Sequence, residues 1–144
     1  MRDRRIPVVH DLDFYYHSFI LAQISPIGYI KLGMRVDLYE TPSGQSPVEK
    51  YIESLPKADQ ARFAEVLLGL EEQGLAYSRA QFRQLRGKLW EVKFSAPSGG
   101  HRMAYVLLAA DYIVILHAFR KSTQKTPLHD LDLAEKRMKE VLGL

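Results

Sequence analysis

Lys93, Arg102 and Lys121 are the residues of this 144-residue chain whose types and positions suit joint action on one anion. Lys93 stands near the end of a strand-like run and Arg102 near the start of the next. Pro97-Ser98-Gly99-Gly100 supplies a turn between them, so antiparallel pairing brings the two close. Lys121 directly follows a third run, antiparallel to the one carrying Arg102, and falls beside Arg102's end. A guanidinium that makes two parallel bonds to oxygens, flanked by ammonium groups, suits a phosphodiester. Were that phosphodiester part of RNA, the ribose 2′-OH would be its own nucleophile. Cutting it requires a base for that hydroxyl, an acid for the departing 5′ oxygen, and positive charge for the phosphorane-like transition state.

In that chemistry Arg102 holds the phosphate while Lys121 and Lys125 add field from the loop after the third strand. The base has three candidates. A lysine titrates near ~10.4 and acts as a base at neutral pH only when cations or burial depress it, a role open to Lys93. Glu91 lies two residues earlier on the same strand face, and His101 carries an imidazole with an ordinary pKa of about 6.5. An Arg102→Ala change is then expected to remove activity without unfolding the chain. Taken singly, each of the three cations also reads as a solvated strand-end residue. Phe119 reads equally as a base-stacking platform or an edge-of-core ring, and Trp90, alternating with Val92 and Phe94, reads as core.

Other chemistries lack their residues. There is no Gly-x-Ser-x-Gly elbow, no phosphate loop ending in Gly-Lys-Ser/Thr and no His-Glu-x-x-His. His101, His117 and His129 have no ligand spacing between them, so neither a metal nor a cofactor is expected. The absence of cysteine excludes a disulfide scaffold and a thiolate nucleophile and suits a reducing cytoplasm.

The elements that must position these groups are legible from periodicity. Residues 35–39 alternate as a half-buried strand, and Ser46-Pro47-Val48-Glu49 supplies a cap, a first-turn proline and a capping-box glutamate. Val48, Tyr51, Ile52 and Leu55 share one helix face; after Pro56, Phe63, Val66, Leu67 and Leu70 mark a second helix that Gly74 stops. Residues 89–95, 102–108 and 112–119 form a three-strand meander, and Thr126-Pro127 opens a last helix with Leu131, Ala134, Met138 and Leu142 inward. The expected fold is therefore α+β, in the order β-α-α-β-β-β-α.

At 144 residues, with 47% hydrophobic content, the chain suits one domain. The net charge of +3 conceals a division: residues 34–78 hold four Lys/Arg against eight Asp/Glu, whereas residues 79–125 hold nine against two. A basic middle third (Arg79, Arg83, Arg86, Lys88, Lys93, Arg102, Arg120, Lys121, Lys125) suits an anionic partner such as RNA, and equally a solvated basic face. Residues 1–33 read differently, with a charged start and an aromatic-apolar run from Phe14 to Ile24. That run is too short to span a bilayer, for which ~20 apolar residues are needed, and no secretory cleavage site follows it. The favoured reading is sequence upstream of a natural start at Met34; the other is an extra helix packed on the domain, which itself occupies 34–144.

Leu85-Arg86-Gly87, Leu89-Trp90-Glu91-Val92-Lys93, Gly100-His101-Arg102-Met103-Ala104-Tyr105 and the stretch from His117 to Pro127 resemble, in order and spacing, the RelE/HigB toxin superfamily, and most nearly its phage-derived HigB-like branch. The resemblance runs from Met34 to about Leu142. It implies two N-terminal helices packed on a small, twisted, mainly antiparallel sheet with a C-terminal helix. It further implies an mRNA-cleaving endoribonuclease, commonly ribosome-dependent, held inactive by an antitoxin encoded next to it, here expected to be a helix-turn-helix protein. By the same resemblance Arg102 contacts the scissile phosphate, Lys93 activates the attacking hydroxyl and Lys121 assists the leaving group or the phosphate. Arg86, Lys88, Phe119, Arg120 and Lys125 are the expected RNA-binding residues. The chain departs from the pattern at Glu91, where the best-known ribosome-dependent member has a second lysine, and at Pro127, about where that member has a functional tyrosine. Two rival readings stand beside it: a non-catalytic module that binds antitoxin or nucleic acid, as a degenerate toxin would, and a regulatory domain whose basic third binds an acidic segment. A membrane partner is not expected.

Overall fold

The computed structural model describes the backbone of Val8–His10 and residues 33–144. Strand β1 (Val8–His10) pairs antiparallel with β2 (Arg35–Tyr39). Helices α1 (Pro47–Glu53) and α2 (Lys57–Gln73) follow, then β3 (Gln81–Arg86), β4 (Leu89–Ala96), β5 (Gly99–Ala109), β6 (Tyr112–Arg120) and α3 (Leu128–Leu142). One sheet results, in the order β1-β2-β6-β5-β4-β3. Only β2 and β6 run parallel; the other neighbours are antiparallel. The remaining expectations for residues 1–33 lie outside the described residues.

The expected capping chemistry places α1: the Ser46 hydroxyl accepts from the Glu49 N–H at 3.2 Å, with Pro47 opening the first turn. Pro56 starts α2, and Gly74, at φ 62°, ends it. Gly69 lacks a side chain because the Tyr77 ring packs on α2 there; a Cβ would stand 2.4 Å from that ring. This contact holds the segment after α2 against the helix.

The sheet separates two apolar layers because side chains alternate along each strand. One face carries Val92, Phe94, Met103, Tyr105, Ile113 and Ile115 against Phe63, Val66 and Leu70 of α2 and Val48 and Ile52 of α1. The other carries Leu89, Ala104, Val106, Val114 and Leu116 against Ala134, Met138 and Val141 of α3. Val141, rather than Leu142, is the deeper residue of the last turn.

Two expectations need correction. Residues 81–86 form a strand that the element order omitted, making it β-α-α-β-β-β-β-α from Met34 onward. Its residues are mostly exposed, since β3 pairs on one side only, and Phe82 and Leu85 pack on opposite faces. No period-two apolar signal exists in such a strand. The helix expected from Thr126-Pro127 starts at Leu128 with no side-chain cap, because the Thr126 hydroxyl is committed elsewhere, 2.6 Å from the Glu91 carboxylate.

Phe63 is fully enclosed and meets Phe94 edge-to-face at 4.8 Å, whereas Trp90 is half-buried. Urea unfolding should show Phe63→Ala lowering stability by ~3–5 kcal/mol and Trp90→Ala by clearly less. Equal losses would show that Trp90 belongs to the deep core.

Candidate functional site

A recess of ≈ 630 Å³ opens where β4 ends and β5 begins, lined by Arg62, Arg79, Lys93, Ser95, Gly100 and Lys121 among others. The strand register builds it. Lys93 lies opposite Arg102 on β5 and opposite Gln81 on β3. Lys121 follows β6, and its N–H donates to the Gly100 carbonyl at 2.9 Å. Two of the three expected cations therefore border one space, joined by arginines from α2 and from the loop before β3. The Arg62 guanidinium also braces the wall: it donates to the carbonyls of Ser95 (3.0 Å) and Arg79 (2.8 Å) and to the Tyr77 hydroxyl (3.1 Å). Arg62, Gln81 and Ser95 were missed from sequence. Gln81 and Ser95 belong to the outward alternation beside Lys93, but nothing in the apolar stripe of α2 marks Arg62.

Arg102 stands elsewhere in depth. It shares the Lys93 face, yet its side chain is only 1% exposed. Its guanidinium donates to the carbonyls of Thr123 (2.6 Å) and Gln124 (2.8 Å) and to the Thr126 hydroxyl (3.2 Å). Glu91, 2% exposed, sits 3.7 Å away, and also accepts from Arg83 (3.1 Å) and Thr126 (2.6 Å). Arg102 thus fastens residues 123–126 down over β5, and Glu91 neutralises it there. In this conformation neither an open phosphate grip at Arg102 nor a solvent-facing base at Glu91 is formed.

His101 is corrected by parity. One residue from Arg102, it points to the opposite face, is wholly enclosed, and is given to a polar network. Its Nε2 lies 2.7 Å from Asp59, and its Nδ1 lies 2.8 Å from the Tyr51 hydroxyl. Asp59 also accepts from the Ser98 hydroxyl (2.5 Å) and N–H (3.0 Å). These Ser98 bonds foremost hold the Asp59 carboxyl below its ordinary range, outweighing the opposing effect of burial. With Asp59 ionised, His101 Nε2–H donates to it, and Nδ1 shares a hydrogen bond with the Tyr51 hydroxyl. The network ties the 97–100 turn to α2, and Arg120 adds bonds to the Ser98 carbonyl and hydroxyl, both at 3.2 Å.

The expected RNA-binding residues disperse. Phe119 is 7% exposed and stacks on His117 at 5.0 Å, so it belongs to the core margin and offers no open platform. Burial pushes the His117 imidazole down, and its Nε2 lies 2.7 Å from Asp130 at the start of α3. Arg86 pairs with Glu135 (2.7 Å) and Asp132 (3.7 Å) of α3. Lys88 is exposed at the β3–β4 turn, about 16 Å along the strand from Lys93 at ~3.3 Å per residue. Arg120 reaches the turn from the face opposite the recess. Lys125 is exposed in the loop that Arg102 holds. Among the described residues no three His, Asp or Glu side chains gather as metal ligands would.

The basic recess, the meander that carries it and the final helix fall within one recognisable stretch of sequence. A family model described as phage derived protein Gp49-like (DUF891) matches residues 50–139, well over half of the chain. The chain belongs to the phage-derived Gp49-like family. That family is often toxin-like, of the kind found in toxin–antitoxin systems. The match takes in α2, strands β3 to β6, most of α3 and every residue that lines the recess. No curated protein matches the chain. No helix among the described residues is long and apolar enough to cross a membrane.

Two stability measurements test this arrangement. Arg102→Ala leaves Glu91 buried without its neutralising partner and should lower stability by ~3–5 kcal/mol, while Arg102→Met combined with Glu91→Leu should cost much less. An Arg102→Ala protein as stable as the parent would show that the loop does not depend on this pair. For Asp59, whose folded carboxyl titrates below its unfolded value of 3.8, the stabilising contribution is complete above that value. It is withdrawn as pH falls through the folded pKa. Urea titrations between neutral and strongly acid pH should therefore show a steeper acid loss in the parent than in Asp59→Asn; parallel curves would contradict the assignment.

Proposed function

We propose that this chain is the toxin of a type II toxin–antitoxin pair, a RelE/HigB-like endoribonuclease that cuts mRNA, commonly on the ribosome, with the scissile phosphate seated in the Lys93–Lys121 recess. The observation that carries the reading is the shared recess: Lys93, Lys121, Arg62 and Arg79 border one open space from four separate segments. The likeness to the RelE/HigB pattern and the Gp49-like family match support it.

The chemistry needs few groups. Lys93 takes the 2′-OH proton as the 2′ oxygen forms a bond to phosphorus. The bond from phosphorus to the 5′ oxygen breaks, and Lys121 gives that oxygen a proton. A 2′,3′-cyclic phosphate and a 5′-hydroxyl are the products. Arg79, exposed at the rim, neutralises a non-bridging oxygen. Arg102 acts at one remove, by holding the segment that carries Lys121. Its partner would be an antitoxin encoded beside it, with surface complementary to the basic middle third.

A second reading has its own observation. Arg102, Glu91 and His101 are all enclosed, which leaves Arg62, Arg79, Lys93 and Lys121 as the charged groups lining the recess and suits a degenerate toxin that binds antitoxin or nucleic acid without cutting. Induction in cells, with and without the neighbouring gene product, separates the two. The parent chain should arrest growth and shorten translated transcripts, and Lys93→Met or Lys121→Met should each reduce cleavage by ~10²-fold or more while folding normally. Arrest without any new transcript ends would favour the binding module.

A further inference from the structure

We infer that Gly100 is the positioning residue of the recess: its missing side chain lets Lys121 lie across β5 and carry its ammonium to the space that Lys93 borders. The geometry stands on its own, and only the nature of the bound group rests on the proposed nuclease reading.

Gly100 lies on the same face of β5 as Arg102, opposite Ser95 on β4. A Cβ at Gly100 would stand 3.3 Å from both Cβ and Cδ of Lys121 and 3.8 Å from its Cγ. The stem from Cβ to Cδ therefore passes over a bare Cα. Conformational freedom does not explain this glycine. Its neighbour Gly99, at φ 137°, meets the demand of the turn, whereas Gly100 is absent from the positive-φ glycines. Space is the remaining reason, and it is space on the recess floor.

The hairpin has little freedom to yield to a larger residue. Asp59 fixes Ser98 through both its N–H and its hydroxyl, Arg120 grips Ser98 from β6, and the Lys121 N–H is bonded to the Gly100 carbonyl. An added side chain must therefore displace the one flexible neighbour, the Lys121 stem, and fill the floor beneath it. The two adjacent glycines divide the work: Gly99 makes the turn and Gly100 keeps the seat open.

A double-mutant cycle tests this. Gly100→Leu, Lys121→Met and the double variant would be titrated with a short single-stranded RNA whose riboses are 2′-O-methylated, so that it binds without being cut. Each single change should weaken binding roughly tenfold, and the double change should be no worse than either single one. The slope of log affinity against log salt should fall by the same ~0.7 in all three, because one phosphate is no longer neutralised. Parent-like affinity in Gly100→Leu, or fully additive losses, would overturn the inference. A second measurement needs no RNA. With lysines carrying ¹³C-methyl groups, the Lys121 resonance should move in Gly100→Leu, and by less in Gly100→Ala, while those of Lys88 and Lys136 stay in place. An unmoved Lys121 signal in a folded variant overturns the inference. A moved signal in a chain that binds no RNA supports it and counts only against the nuclease reading.

Discussion

The buried pairing of Arg102 with Glu91, closed by Thr126 and the carbonyls of Thr123 and Gln124, is the interaction on which the candidate site depends. A guanidinium taken out of water needs both charge compensation and acceptors for its N–H groups. Glu91 supplies the charge and the 121–127 segment supplies most of the acceptors. The connection from β6 to α3, which no regular element would hold, is drawn down against β5 as a result. Lys121 at its start acquires a defined place, and α3 at its end meets the sheet at a defined point.

The sheet converts that local constraint into an arrangement of cations. Alternation along β4 and β5 puts Glu91, Lys93 and Arg102 on one face, and the hairpin register sets Lys93 directly opposite Arg102. On the other face the same hairpin is held through His101, Ser98 and Asp59, so the turn is fixed from both sides of the sheet. The apolar layers beneath α1, α2 and α3 provide the stability, and the polar clusters provide position. Ion pairs such as Arg86 with Glu135 are half-exposed and contribute little beyond orienting α3.

Much of this was legible in the sequence. The Ser46-Pro47 start, the Gly74 stop and the alternating meander each rest on local chemistry that tertiary packing did not override. The approach of Lys93 to Lys121 followed from hairpin topology alone. The parity of β5 already put His101 on the face opposite Arg102, a consequence of period two that its near-neutral imidazole obscured. Burial depth was not legible. Whether Arg102 faces solvent depends on a loop folding back across the strand, and Thr126 reads as a helix cap until the carboxylate it bonds to is known. Edge strand β3 escaped because a strand paired on one side need not alternate, and Arg62 escaped because its bonds to Ser95 and Arg79 depend on how α2 packs beside β4 and the loop before β3.

Lys93 and Lys121 are proposed to act on one phosphodiester through the substrate's own hydroxyl. The chemistry of the cut ends tests it most directly, read on a defined RNA digested by the purified chain with and without ribosomes. The expected ends are a 2′,3′-cyclic phosphate on the upstream fragment and a 5′-hydroxyl on the downstream one. A 3′-hydroxyl facing a 5′-phosphate, or intact RNA under both conditions, would contradict it.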